Sequence, residues 1–189
     1  MGHGPSRVAA LVAAISPWDA TEREHQAAAL AWLAGTRDIY RRVKPGIPSP
    51  HLVSYVLLAD PVSSGVFLVD HRLSGLWLPA GGHVERFEDP LETARREAME
   101  ELGISADLSI TGPRPLFVTV TPTRGADPHT DVSLWYVLAG VRDMPITLDQ
   151  REFAGGRWWT REEIEAADPT RFDPHLPRFL TKLRALTRP

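Results

Sequence analysis

Between residues 82 and 104, seven residues able to perform or support phosphate chemistry stand at fixed intervals: Gly82, Glu88, Arg96, Glu97, Glu100, Glu101 and Gly103. Three of the glutamates fall within five positions. On a helix, like charges at i,i+3 and i,i+4 cost roughly 0.2–0.5 kcal/mol per pair, so helix stability alone does not favour the grouping. A divalent cation turns that repulsion into coordination, and hard Mg²⁺ or Mn²⁺ prefers carboxylate oxygens. Glu97 and Glu101, one turn apart, are the first-choice ligands, and Glu100 is a third ligand or the ligand of a second ion. Arg96 precedes Glu100 by four residues, so its guanidinium can fork to a carboxylate and fix the rotamer. Glu88 reads as a loop anchor rather than a primary ligand.

Holding these carboxylates in register requires a helix with defined ends. Asp89 is a good N-cap, Pro90 suits the first helical position, and Glu92 can complete a capping box. Gly103 supplies a left-handed stop, so a helix is expected from about residue 90 to 102. At about 100° per residue, Leu91, Ala94, Ala98 and Leu102 share an apolar arc, with Glu97, Glu100 and Glu101 beside it. The glutamates therefore lie where the helix meets the core.

The segment resembles the Nudix box, G-x5-E-x7-R-E-U-x-E-E-x-G-U with U aliphatic, at every position, with Ala98 and Ile104 as the aliphatic residues. With each fixed residue near 7% usage or less, seven in register arise by chance on the order of 10⁻⁸ per starting point. The resemblance implies an α+β protein with the Nudix fold, an α/β/α sandwich around a mixed sheet, and a hydrolase that uses Mg²⁺ or Mn²⁺. It implies metal binding by the carbonyl just before the box glycine, here that of Gly81. It also implies a further acidic ligand or general base after the box, for which Glu152 is the candidate. Which glutamate activates the water is left open.

Composition is that of an ordinary globular domain. The 189 residues are 43% hydrophobic and 24% charged, with a formal net charge of −3. No basic field points to nucleic acid, and no polybasic cluster points to an anionic membrane. No cysteine is present, which removes thiolate chemistry and fits a reducing compartment, so a cytoplasmic location is expected. The same absence argues against an isopentenyl diphosphate isomerase, a related family that relies on an active-site cysteine.

In chain order, residues 8–15 are too short to span a bilayer and read as a short amphipathic helix. A second helix is expected from Trp18 to about Gly35, capped by Asp19 or Thr21, with Ala28, Trp32 and Leu33 able to face a neighbour. The Pro- and Gly-rich stretch from Val43 to Pro50 reads as a linker. Residues 1–50 are therefore expected to be a helical extension and 51–189 the hydrolase domain. The extension is open to three roles: covering the pocket, forming a homodimer contact, or covering a sheet edge. Strands are expected at residues 51–60, 66–70, 76–78, 115–123, 131–141 and 152–158, with Pro79–Gly82 as a turn. Thr160 caps a short helix through Ala166, and an amphipathic helix runs from Pro174 to Leu186.

Phosphate binding needs cations. Arg72 is the best placed, followed by His71, His83, Arg86, Arg124 and His129, with the 124–130 connection as a pocket-lining loop. Trp77, Phe117, Trp135, Phe153 and Trp158 could stack a base, although strand aromatics are more often core. The run from Asp173 to Leu183 resembles the end of Nudix enzymes that cleave nucleoside triphosphates, but His175 and Leu176 stand near the place of a purine-reading asparagine. The proline that marks the ADP-ribose branch is missing from its expected place, and no coenzyme A or dinucleotide branch signature is present. The leading expectation is a (d)NTP or modified-NTP pyrophosphohydrolase acting on a small nucleotide-like substrate. The alternatives are an ADP-ribose or NDP-sugar pyrophosphatase and a catalytically silent nucleotide-binding module.

Overall fold

The computed structural model of the chain describes residues 4–43, 47–123 and 128–187. Two helices open it, α1 (Pro5–Ala13) and α2 (Ala20–Gly35). At the start of α2, the Asp19 side chain accepts from the Glu22 backbone N–H at 2.8 Å, while Glu22 accepts from the Trp18 N–H at 2.6 Å. The Asp19 contact to the Glu22 N–H makes Asp19 rather than Thr21 the N-cap, and Glu22 holds the residue before it. The buried face of α2 carries Glu22, Ala29 and Leu33. It is rotated by one residue from the expected face, because Ala28 is exposed and Trp32 only half-buried. Gln26 Nε2 donates to the carbonyls of Val12, in the last turn of α1, and Ile15, just beyond it. The Val43–Pro50 stretch is described on either side of residues 44–46, with Val43 and Ile47 in an antiparallel bridge.

Seven strands follow: β1 (His51–Ala59), β2 (Val66–His71), β3 (Leu76–Leu78), β4 (Ala80–His83), β5 (Phe117–Pro122), β6 (Thr130–Ala139) and β7 (Phe153–Trp159). Helix α3 (Pro90–Leu102) lies between β4 and β5, and α4 (Arg161–Ala166) and α5 (Leu176–Thr187) follow β7. The sheet order is β3-β2-β1-β6-β5, with β4 paired to β1 and β7 to β2. The expected mixed sheet with helices and an N-terminal helical addition is present. β1 and β2 form a hairpin, registering Leu58 with Phe67 and Ala59 with Val66. Its turn is fixed by the Asp60 carboxylate, which accepts from the N–H groups of Val62 and Ser63 and from the Ser63 hydroxyl.

One expected turn is a strand. Residues 80–83 pair with β1 instead of merely reversing the chain. The departure rests on Gly81, whose φ is +141° and where an added Cβ would sit 2.2 Å from the Ser54 carbonyl oxygen. Only glycine tolerates both the conformation and that approach.

The chain divides into two compact units. The first comprises Met1–Tyr55, Gly81–Ala94 and Pro113–Tyr136, and the second Val56–Ala80, Arg95–Gly112 and Val137–Pro189. In the first unit, α1 packs on α2 and α2 packs on β5. Its core includes Leu52, Phe117, Leu134 and Trp135, all fully buried. Phe117 and Trp135 meet edge to face at 5.8 Å, and the Trp135 indole donates to Thr119 Oγ1 at 3.1 Å. In the second, β7 pairs along β2 from Val66↔Trp159 to His71↔Phe153, with an irregularity between Asp70 and His71. Trp159 stands edge to face with both Trp77 and Phe172. Arg157 lies over the Trp159 ring at 3.4 Å.

Candidate active site

Helix α3 positions the box residues. Asp89 Oδ1 accepts from the Leu91 N–H at 3.0 Å, satisfying one free donor of the first turn. At the other end Gly103 adopts φ +68°, and the Ile104 N–H reaches the Ala98 carbonyl at 3.2 Å. That turn ends the helix at Leu102. Thr93, Ala94, Ala98 and Leu102 are buried, and so are Glu97 and Glu101. Glu100 points outward, its side chain 58% exposed.

In the first unit, Glu88 Oε2 accepts from the Glu85 N–H at 3.1 Å and from the Thr93 hydroxyl at 2.7 Å, closing the loop that enters α3. The Ser54 hydroxyl donates to the Pro90 carbonyl at 2.8 Å. Gly82 follows the glycine that nests against Ser54, and the Val84 N–H donates to the Leu52 carbonyl at 3.0 Å.

In the second unit, one nitrogen of Arg96, Nη1, donates to Glu97 Oε1 at 2.7 Å and to Glu100 Oε2 at 3.1 Å. Burial raises the Glu97 carboxyl above its ordinary value, Arg96 opposes the rise, and the charges of Glu100 and Glu152 add to it. Glu152 thus shares the electrostatic field of Glu97, although its side chain belongs to an exposed residue. The turn before it is tied to the end of α3. The Asp149 N–H donates to the Glu101 carbonyl at 3.3 Å, the Thr147 N–H to Leu102 at 2.9 Å, and the Glu152 N–H to Asp149 at 3.2 Å. Hydrogen bonds from Arg151 hold the Asp149 carboxyl down to about 2.

Arg72 borders the same turn: its N–H donates to the Glu152 carbonyl at 2.9 Å and its Nε to Gln150 at 3.1 Å. At the start of α5, Asp173 Oδ1 accepts from the His175 N–H at 2.7 Å, and His175 Nδ1 lies 3.0 Å from Arg178 Nη1. Burial pushes the Asp173 carboxyl up to about 6, opposed by backbone hydrogen bonds from His175 and Leu176. Of the expected stacking aromatics, Phe117, Trp135 and Phe153 are buried core, while Trp77 and Trp158 are half-buried. Arg124 lies outside the described residues.

The donor set around Glu97 suits a hard divalent ion. Two buried carboxylates one turn apart, with two further carboxylate charges raising the proton affinity of one of them, form a site that positive charge would relieve. A second donor set lay outside the expected site. His51, His83, His129 and Asp131 bring one ligand atom each within 4.8 Å of one another. The sequence marks His129 and His83 only as phosphate contacts and assigns no ligand role to His51 or Asp131. The only local signal is His129-x-Asp131, two residues that alternation places on the same strand face.

A family model described as the NUDIX domain matches residues 48–183. The NAD-capped RNA hydrolase ndx-9 of Caenorhabditis elegans is 31% identical over 144 residues, covering 71% of this chain but only 36% of that protein. An uncharacterised Nudix hydrolase of Listeria monocytogenes is 32% identical over 123 residues, covering 61% of this chain and 67% of the relative. Among solved structures, a NUDIX-family hydrolase from Clostridium perfringens superimposes with a TM-score of 0.55 at 20% identity, covering 72% of this chain and 97% of the other. Among the described residues, no helix is long and apolar enough to cross a membrane.

Proposed function

We propose, from the premise that the chain belongs to the Nudix hydrolase family, that it hydrolyses the pyrophosphate linkage of a nucleoside diphosphate joined to another group. Nucleoside triphosphates, (d)NTP or modified NTP, are the leading substrates. The observation that carries the reading is the pair of buried carboxylates, Glu97 and Glu101, on one face of α3. Glu97, Glu101 and Glu100 would hold Mg²⁺ or Mn²⁺, and the Gly81 carbonyl is added as a donor on the family resemblance alone. Such an ion, when bound, neutralises phosphate oxygens, acidifies water and stabilises the leaving phosphate.

The remaining roles belong to the chain's own side chains. Arg96 fixes the rotamers of Glu97 and Glu100 through its shared nitrogen. Glu152, whose charge reaches Glu97, is assigned as a further ligand or as the base that takes the proton of the attacking water. Arg72, anchored to the turn carrying Glu152, meets phosphate, and His175 faces the nucleoside. Gly82, Glu88 and Gly103 shape the loops at the two ends of the helix. We assign residues 1–50 as a helical extension, with covering the pocket, contacting a second copy and covering a sheet edge as its three open roles, residues 51–189 as the hydrolase domain, and the cytoplasm as its place of work.

A second reading is favoured by the name of the worm relative: the group joined to the nucleoside diphosphate would be nicotinamide riboside, as in NAD, free or at an RNA cap. ADP-ribose and NDP-sugars share the same scissile bond.

The experiment is a product-resolved screen of dNTPs, oxidised dNTPs, NAD, NAD-capped RNA, ADP-ribose, NDP-sugars and dinucleoside polyphosphates with Mg²⁺. Glu97→Gln and Glu101→Gln keep side-chain volume, and each is expected to lower turnover at least about 100-fold, the scale set by losing one preorganised electrostatic group. Equal turnover in wild type and both variants sinks the site assignment. A folded wild type that binds nucleotide but cleaves none of the panel makes the chain a binding module.

A further inference from the structure

The three histidines and the aspartate of the first unit are arranged as a metal site would be. His51 opens β1, His83 closes β4, and His129 and Asp131 flank the start of β6. Backbone bonds fasten these strand ends together. The Val84 N–H donates to Leu52, the Thr123 N–H donates to the His129 carbonyl at 2.7 Å, and the Thr130 N–H donates to Ser49 Oγ at 2.9 Å. His51 Nε2 lies 3.0 Å from Asp131 Oδ1, His129 Nε2 lies 3.5 Å from it, and His83 Nε2 lies 4.0 Å from it. The His51 ring is 4.6 Å from that of His83 and 4.9 Å from that of His129.

Hydrogen bonding selects the nitrogen that faces inward. His51 Nδ1 lies 2.7 Å from the Pro48 carbonyl, which can only accept, so Nδ1 carries the proton. In the neutral ring Nε2 then presents a lone pair. The His129 ring is oriented by the Thr123 hydroxyl, which can donate or accept, 3.2 Å from Nδ1, and its Nε2 is turned toward Asp131. Fixing one ring nitrogen outward so that the other points inward is the usual support of a metal-bound imidazole.

His51 is fully buried, and neither its Nε2 nor Asp131 Oδ1 has a directed hydrogen-bond partner. A nitrogen lone pair and a carboxylate oxygen facing each other at this range repel unless positive charge lies between them. Protonating the rings would set imidazolium against imidazolium, whereas one cation serves all the donors.

We propose that His51, His83, His129 and Asp131 form a binding site for a single Zn²⁺-class ion, additional to the carboxylate site of α3. Three imidazole nitrogens and one carboxylate oxygen suit zinc or cobalt better than Mg²⁺, which favours oxygen. Zinc–ligand bonds of about 2.0–2.1 Å put tetrahedral donors about 3.3 Å apart, within the span observed. The set shares no residue with Glu97, Glu100 and Glu101. His129, so engaged, is withdrawn from phosphate binding.

The test uses the full chain stripped with chelator and titrated with Co²⁺, followed by visible absorption, with bound zinc measured separately by elemental analysis. One Co²⁺ per chain with tetrahedral bands, displaced by Zn²⁺, is expected. Loss of an outer partner of a metal ligand costs 10- to 100-fold in affinity, so Asp131→Asn and His129→Gln should weaken binding at least about 100-fold. The double variant Glu97→Gln/Glu101→Gln should bind Co²⁺ as wild type does. Circular dichroism checks folding, and His83→Gln, at the most exposed ligand, replaces either variant that fails it. Absence of stoichiometric binding in folded wild type, a spectrum unchanged in the folded ligand variants, or loss of the signal in the glutamate double variant overturns the proposal.

Discussion

Replacing Gly81 with alanine isolates what the backbone of β4 demands. Two costs are readable from the structure. At φ +141° a residue with a Cβ is strained, a penalty of about 1–3 kcal/mol. The added methyl would also stand 2.2 Å from the Ser54 carbonyl oxygen and 2.8 Å from the Tyr55 Cα, so β4 and β1 must move apart. Overpacking of this kind costs about 1–3 kcal/mol, and here the obstacle is backbone, which cannot swing aside. The expected loss is about 2–6 kcal/mol, a large share of the roughly 5–15 kcal/mol that holds a typical domain folded. Urea unfolding followed by circular dichroism measures it. Gly155→Ala in β7 is the control, because its Cβ would meet no heavy atom within 4 Å, and it should stay within about 1 kcal/mol of wild type. A Gly81→Ala protein as stable as that control would refute the steric reasoning. If it were also inactive, the need for glycine would lie with the ligand and not with the fold.

Two further outcomes follow from buried carboxylates. Asp173 has a folded-state value raised from 3.8 to about 6, so its contribution to stability is complete below the unfolded value and is lost as pH rises through about 6. The rise corresponds to about 3 kcal/mol. Asp173→Asn should remove this part of the pH dependence between about 4 and 7, and a wild-type curve that the substitution leaves unchanged there counts against it. Glu22→Ala deprives the Trp18 N–H of its acceptor at a fully buried side chain, for an expected loss of about 1–3 kcal/mol. Urea unfolding of this variant with no loss would show that the Glu22–Trp18 contact at the start of α2 contributes nothing to the fold.

Where signals are local, the sequence sufficed. Asp89, the period of Ala94, Ala98 and Leu102, and Gly103 define α3 to the residue, because caps and helical spacing act within a few positions. Strands β1, β2 and β3 were equally plain from their β-branched and aromatic runs and the turns between them. β4 was hidden because Pro79-Ala80-Gly81-Gly82 carries every mark of a turn, and only pairing with β1 makes a strand of it. The face of α2 shifted by one residue because Glu22 buries its carboxylate against the Trp18 N–H, a choice hydrophobic periodicity does not register. The imidazole cluster was illegible for a related reason. Its members are spread from residue 51 to 131 on three strands, so strand register assembles them and spacing along the chain does not.

Strand β1 has a consequence for how the first unit can change. His51 opens it beside Asp131, and three residues on, Ser54 places its carbonyl against Gly81 and its hydroxyl against Pro90. One rigid ribbon therefore acts as a ruler for the imidazole cluster, for the glycine before the box and for the first turn of α3. A slip of one residue would turn every side chain to the opposite face and break all three alignments at once. Insertions or deletions within residues 51–54 should accordingly be all-or-none in effect.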